Sequence, residues 1–253
     1  MKYFNIITAI LLLLGLSTCQ EESTDDMLQG ATLTLDLSHL VNGEQLLFNT
    51  QTYTNASGES FVVQDFKYYL SNIKLRNTAT GAFYLEPESY HLVRPQEGEA
   101  FQIQIDDITV GEYNEVEFAI GVDNAANTST DKVGALDPSN EMAWDWNTGY
   151  KFLLMEGQFG ESEDNMNNAF VYHIGGDPNY RLLRFNLSQL SLSTLSLENN
   201  GTQSLAVEVD VAAIFAEPTA VSFAEHPVVM HDPFSQNVAE NYAANMFEIT
   251  AVE

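Results

Sequence analysis

Cations and cysteines are what this sequence has least of. Nine Lys and Arg stand against 36 Asp and Glu, a formal charge of −27. A surface of that sign repels phosphate backbones and anionic headgroups, which excludes nucleic acid as a partner. The single cysteine, Cys19, excludes an internal disulfide and a cysteine-built zinc site. Also missing are the P-loop, the dinucleotide fingerprint, the G-x-S-x-G elbow and the His-Glu-x-x-His spacing of zinc proteases. Paired acids are abundant, but in a chain this acidic they carry no signal for glycoside hydrolysis. No catalytic pattern is left, and the expectation is a protein that is not an enzyme.

What is present starts with an address. Lys2 precedes the short apolar run "IITAILLLLGL", which ends at "STC". That layout is a secretory signal, too short and wrongly flanked for a membrane span. "LSTC" is similar to a bacterial lipobox, in which the cysteine is acylated and becomes the mature N-terminus. Residues 1–18 are therefore expected to be a lipoprotein signal peptide and Cys19 the lipidated residue. Acyl chains contribute about 0.8 kcal/mol per buried methylene, so the contact with the membrane is through the anchor alone. Residues 19–30, "CQEESTDDMLQG", hold too little apolar surface to fold and read as an acidic tether. Acids directly behind a lipidated cysteine resemble the surface-export signal of Bacteroidota lipoproteins. The expected location is the outer membrane or cell surface of a Gram-negative bacterium.

From residue 31 to 253 the dominant period is two. "ATLTLDLS", "FQIQI", "EVEFAIGV" and "LAVEVDV" each alternate apolar with polar residues, the mark of a strand with one buried face. "SFVVQDFKYYLSNIKL", "YKFLLMEG", "NAFVYHI" and "RLLRFNLSQLSL" add further strands, punctuated by turn signals such as "NASGE", "NNG" and "GGDPN". The pattern predicts an all-β domain, an antiparallel β-sandwich with long loops and a short C-terminal helix. That helix lies in "SQNVAENYAANMF", with Ser235 as N-cap and Val238, Tyr242 and Met246 at every fourth position. "AAIFAE" reads as a single turn. One stretch breaks the alternation: "DNAANTSTDKVGALDPSNEMAWDWNTG" is long, polar and ends on both tryptophans of the chain. Loops of that length in compact domains are usually functional or disordered, and this one reads as a binding loop leading into a strand at Tyr150.

Candidate ligands are scattered. His173 sits in "VYHIGG" and His91 in "SYHLV", both strand contexts in which a histidine is more often structural. "HPVVMH" groups His226, Met230 and His231, and thioether with imidazole suits copper. The loop carboxylates Asp123, Asp131 and Asp137 are candidate oxygen ligands for calcium, although they lack the EF-hand spacing.

"DFKYYLSNIKL", "ESYHLV", "FAIGVD", "GALDPSNEMAWDWNTGYKF", "YHIGG" and "ENYAANMF", in this order, resemble the MbnP-like proteins. These are copper-binding proteins of methanotrophs associated with methanobactin, together with many lipoproteins of Bacteroidota. The resemblance runs from about residue 31 to 247, and the M-x-W-x-W-N-x-G-Y block is its most specific part. It implies a β-sandwich, copper binding without catalysis, and a partner di-haem peroxidase that oxidises a tryptophan of the block to kynurenine. On this chain the matching positions are Trp144 for the modified residue and His173 for a histidine ligand. Trp146 occupies a position where some copper-binding relatives carry histidine, leaving the set one imidazole short, and His91 is the candidate substitute. A different reading stands beside this one: a cell-surface module for glycans, with Trp144, Trp146 and Tyr150 as an exposed stacking face.

Overall fold

The computed structural model describes residues 30–129, 133–144, 149–160, 165–230 and 232–253. The alternating segments form strands in two sheets. The smaller contains β1 (Ala31–Val41), β2 (Glu44–Gln45), β7 (Phe101–Ile108), β14 (Thr202–Asp210) and β16 (Phe247–Val252). The larger contains β3 (Tyr53–Thr54), β4 (Ser60–Arg76), β5 (Phe83–Leu85), β6 (Tyr90–Val93), β9 (Glu115–Ile120), β10 (Lys151–Gly160), β11 (Asn168–Gly175), β12 (Arg181–Asn186) and β15 (Val228–Met230). A separate ribbon pairs β8 (Gly111–Tyr113) with β13 (Leu195–Leu197).

Two pairs run parallel against the antiparallel expectation. They are β1 with β14 and β11 with β15. A parallel neighbour needs a long crossover. Here the connection from β1 to β14 contains every strand of the larger sheet except β15.

The main core lies between the sheets. Leu33, Leu35 and Leu37 of β1 and Leu205, Val207 and Val209 of β14 meet Phe61, Val63, Phe66 and Tyr68 of β4, each nearly or fully excluded from solvent. Val116, Phe118 and Ile120 of β9 join them, as the alternation of "EVEFAI" predicts. Val122 does not. Gly121 adopts a φ of +111° and turns the chain off the strand, so Val122 enters a second apolar cluster.

That second cluster places the site. Sheet residues Tyr69, Phe152 and Leu154 and loop residues Val122, Leu136, Met142 and Tyr150 form it, on the outer face of the larger sheet. Tyr68, Tyr69, Leu70 and Ser71 of β4 are in consequence all fully buried, where a strand covered on one face only would expose alternate residues. The covering element is the loop between Val122 and Tyr150, in its described residues 122–129, 133–144 and 149–150. It is built from α1 (Asn124–Asn127) and two 3₁₀ turns at Gly134–Leu136 and Pro138–Asn140. Polar contacts brace it internally and pin it to the sheet. Tyr69 Oη donates to Ala135 O at 2.8 Å, Tyr150 Oη donates to Leu136 O at 2.6 Å, and Tyr90 Oη donates to Asp123 at 2.6 Å.

Near the C-terminus α2 spans Ser235–Asn245, with Val238 and Tyr242 buried on its core side and Met246 buried just beyond its end. Its cap is Phe234, one residue before the expected Ser235, which is the first helical residue. Asp232 supplies the capping contacts: its carboxylate accepts from Phe234 N and its carbonyl from Ser235 N. "AAIFA" lies in a buried 3₁₀ turn, Val211–Phe215. Among the described residues no helix is long and apolar enough to cross a membrane.

Candidate functional site

β11 carries His173 between Tyr172 and Ile174, whose side chains enter the main core, so its imidazole points to the outer face. The loop places Trp144 against it. The rings meet edge to face at 61° with centroids 5.7 Å apart. The indole extends along the strand to Gly175, two residues further on the same face. A Cβ at Gly175 would lie 2.8 Å from Trp144 Nε1 and would also collide with Tyr150 O, so this position has no room for a side chain. Lys151 holds its ammonium 5.6 Å from the centre of the Trp144 ring and donates to Glu141 O at 3.0 Å. The loop returns to β10 through Ala143 paired with Tyr150 and through Trp144 N donating to Gly149 O at 3.0 Å.

Glu156 of β10 completes the arrangement. Its Oε1 lies 2.7 Å from His173 Nε2. Among the described residues Nδ1 of that ring has no hydrogen-bond partner. Burial lowers the His173 pKa below its ordinary value; the hydrogen bond to Glu156 opposes this and nearby Lys151 adds to it. Burial thus favours the neutral imidazole, the form that ligates metals. With one ring nitrogen fixed by a carboxylate and the other without a partner among the described residues, His173 has the orientation that metal-bound histidines usually have.

The other sequence candidates separate. His91 pairs in register with Leu70, a main-core residue, whereas His173 pairs with Leu154 of the outer cluster, so the two histidines belong to opposite faces. β10 and β4 lie between their strands, a lateral separation of about 14 Å. His91 Nε2 is held at 2.9 Å by Glu86 instead. The expected substitution of His91 for a missing imidazole is therefore not made here. The "HPVVMH" grouping also divides: His226 stacks on Phe234 with centroids 3.7 Å apart, while Met230 pairs with His173 across β15 and β11. Trp146, His231, Asp131 and Cys19 lie outside the described residues.

The calcium candidates are engaged locally. Asp123 caps α1 and accepts from Tyr90 and Asn72. Burial pushes its carboxyl up, and these hydrogen bonds outweigh that to leave it below the usual range. Asp137 caps the Pro138–Asn140 turn. Among the described residues no three His, Cys, Asp or Glu side chains are grouped for a metal.

Tyr150 corrects the stacking-face reading. It is fully buried with its hydroxyl bonded inside the loop, so it offers no ring to a sugar. Sequence reasoning missed Glu156, Lys151 and Gly175. Glu156 had a visible signal as the lone acid in "YKFLLMEGQF"; the pairing of Met230 with His173 had none.

No curated protein matches the chain in sequence. Among solved structures it is similar to MbnP from Methylosinus trichosporium, with a TM-score of 0.54, 15% identity and coverage of 83% of this chain and 87% of that one. At that identity the likeness establishes the fold. The sequence profile of the MbnP family matches residues 30–232, which takes in every strand but β16, together with Trp144 and His173. The chain belongs to the MbnP family.

Proposed function

We propose that this chain is a non-catalytic copper-binding protein of the bacterial cell envelope, held to the membrane by a lipid on Cys19. The observation that carries the reading is His173, fixed by Glu156, with its ring against Trp144. The structural relative and the family share the MbnP name, which supports copper as the ligand class. Copper would be bound cargo here, and the residues that hold it are His173 and Trp144. Indole is a poor ligand, offering only an N–H donor. Oxidation of Trp144 to kynurenine by a partner di-haem peroxidase would place an aniline nitrogen and a carbonyl beside the imidazole. Glu156 keeps that imidazole oriented, and the loop shields its apolar side from water. Trp144 sits at the outer surface and not in the main core, within reach of such a partner.

The test is a titration of Cu(I) against a competing chelator, with recombinant chain whose mass shows intact tryptophan. Binding is expected to be weak, to tighten when Trp144 is oxidised, and to vanish in His173→Ala. Tight binding that survives both Trp144→Phe and His173→Ala would remove copper from this site. The anchor has a separate check. Cys19→Ser should shift the protein from the membrane to the soluble fraction, and unchanged fractionation would rule it out.

A further inference from the structure

β11 runs between β10 and β15, and the β15 edge brings Met230, a copper candidate only within "HPVVMH" in the sequence, beside His173. The register of this parallel pair is Val171 with Val228, Tyr172 with Val229 and His173 with Met230. Paired residues share a face. Tyr172 and Val229 are both buried in the main core, which fixes the other two pairs on the outer face. Met230 is accordingly 41% exposed, an unusual setting for a large apolar side chain beside a buried neighbour that is only 1% exposed. Its backbone lies one strand spacing, about 4.8 Å, from that of His173. The thioether chain is long and flexible enough to reach over the imidazole.

We propose that Met230 is a copper ligand of this chain, supplying a thioether sulfur at the His173–Trp144 site. The inference rests on the copper reading above and adds a donor to it. It gives a structural reason for Met230 to be exposed beside an outer-face imidazole whose orientation is already set. It also separates Met230 from His226, which is committed to its stack on Phe234. The other methionine near the site, Met142, is fully buried in the apolar cluster under the loop and serves as the internal control. Thioether sulfur favours Cu(I), so its removal should weaken that ion in particular.

The experiment is X-ray absorption at the copper edge on the full chain purified from its native host, with Trp144 shown by mass to be oxidised, loaded with Cu(I) and compared among wild type, Met230→Leu, Met142→Leu and His173→Ala. Wild type and Met142→Leu should show a sulfur neighbour to copper. Met230→Leu should keep stoichiometric copper, lose the sulfur signal, and bind Cu(I) roughly tenfold or more weakly in chelator competition. A sulfur-free wild-type spectrum, or a sulfur signal that persists in Met230→Leu, would overturn the role of Met230 while leaving copper at His173. Copper that fails to load, or that loads equally in His173→Ala, would overturn both readings, and the His173 variant tells these cases apart.

Discussion

His39 shows how a polar residue can sit in an apolar pattern. It continues the buried alternation of β1, only 6% exposed, with Nε2 3.0 Å from the Tyr68 hydroxyl and Nδ1 without a partner. Burial pushes its pKa down to about 4 from 6.5. The folded chain thus refuses a proton that the unfolded chain takes up below pH 6.5. Stability should fall as the pH drops from 6.5 towards 4 and then level as far as this group is concerned, by up to about 3 kcal/mol. Denaturant unfolding between pH 7 and 5 checks this. His39→Gln should flatten the slope, and an unchanged slope would reject the assignment. Gly175 is a second residue-scale case, since Gly175→Ala must displace either Tyr150 O or the indole of Trp144. The expected cost is about 1–3 kcal/mol, with a changed tryptophan emission that disappears in the Trp144→Phe background.

The element that positions the site is the loop of residues 122–150, and its most consequential anchor is Asn127. Asn127 Oδ1 accepts the buried N–H of Tyr150 at 2.8 Å, and Nδ2 donates to Asp177 at 3.1 Å. Asn127→Ala would leave a buried donor unsatisfied, at about 1–3 kcal/mol. Hydrogen exchange at Tyr150 should accelerate, while exchange in the β1–β14 pair should not. Protection unchanged at Tyr150 would mean that the loop is held elsewhere. At this scale the sequence was partly legible. Strands with one buried face announce themselves by alternation, and Val238, Tyr242 and Met246 announced α2. The loop announced itself only as an interruption, because its order comes from side chains that reach distant partners: Tyr69 to Ala135, and Tyr150 to Leu136. Contacts of that kind leave no period in a sequence. His91 and His173 looked alike for the same reason, since strand context shows that a face exists but not which of two.

At the scale of the molecule, β4 joins everything. Along one edge it pairs with β10 and then β9, and along the other with β3, β6 and β5, while its two faces carry the main core and the outer cluster. Loss of that strand would uncover both clusters together, so the chain should unfold in one cooperative transition. Coincident transitions by far-ultraviolet dichroism and tryptophan emission would agree; an early emission change with the sheet intact would show the outer cluster melting by itself. The central claim, that His173 and an oxidised Trp144 together hold copper on the outer face of this sheet, has one most direct measurement. It is intact mass together with bound copper, for wild type and His173→Ala purified from the native host. Wild type should carry stoichiometric copper and the mass of kynurenine in place of Trp144, and His173→Ala should keep the modification but lose the copper. Copper retained in full by His173→Ala, or absent from wild type whose Trp144 is oxidised, would contradict it.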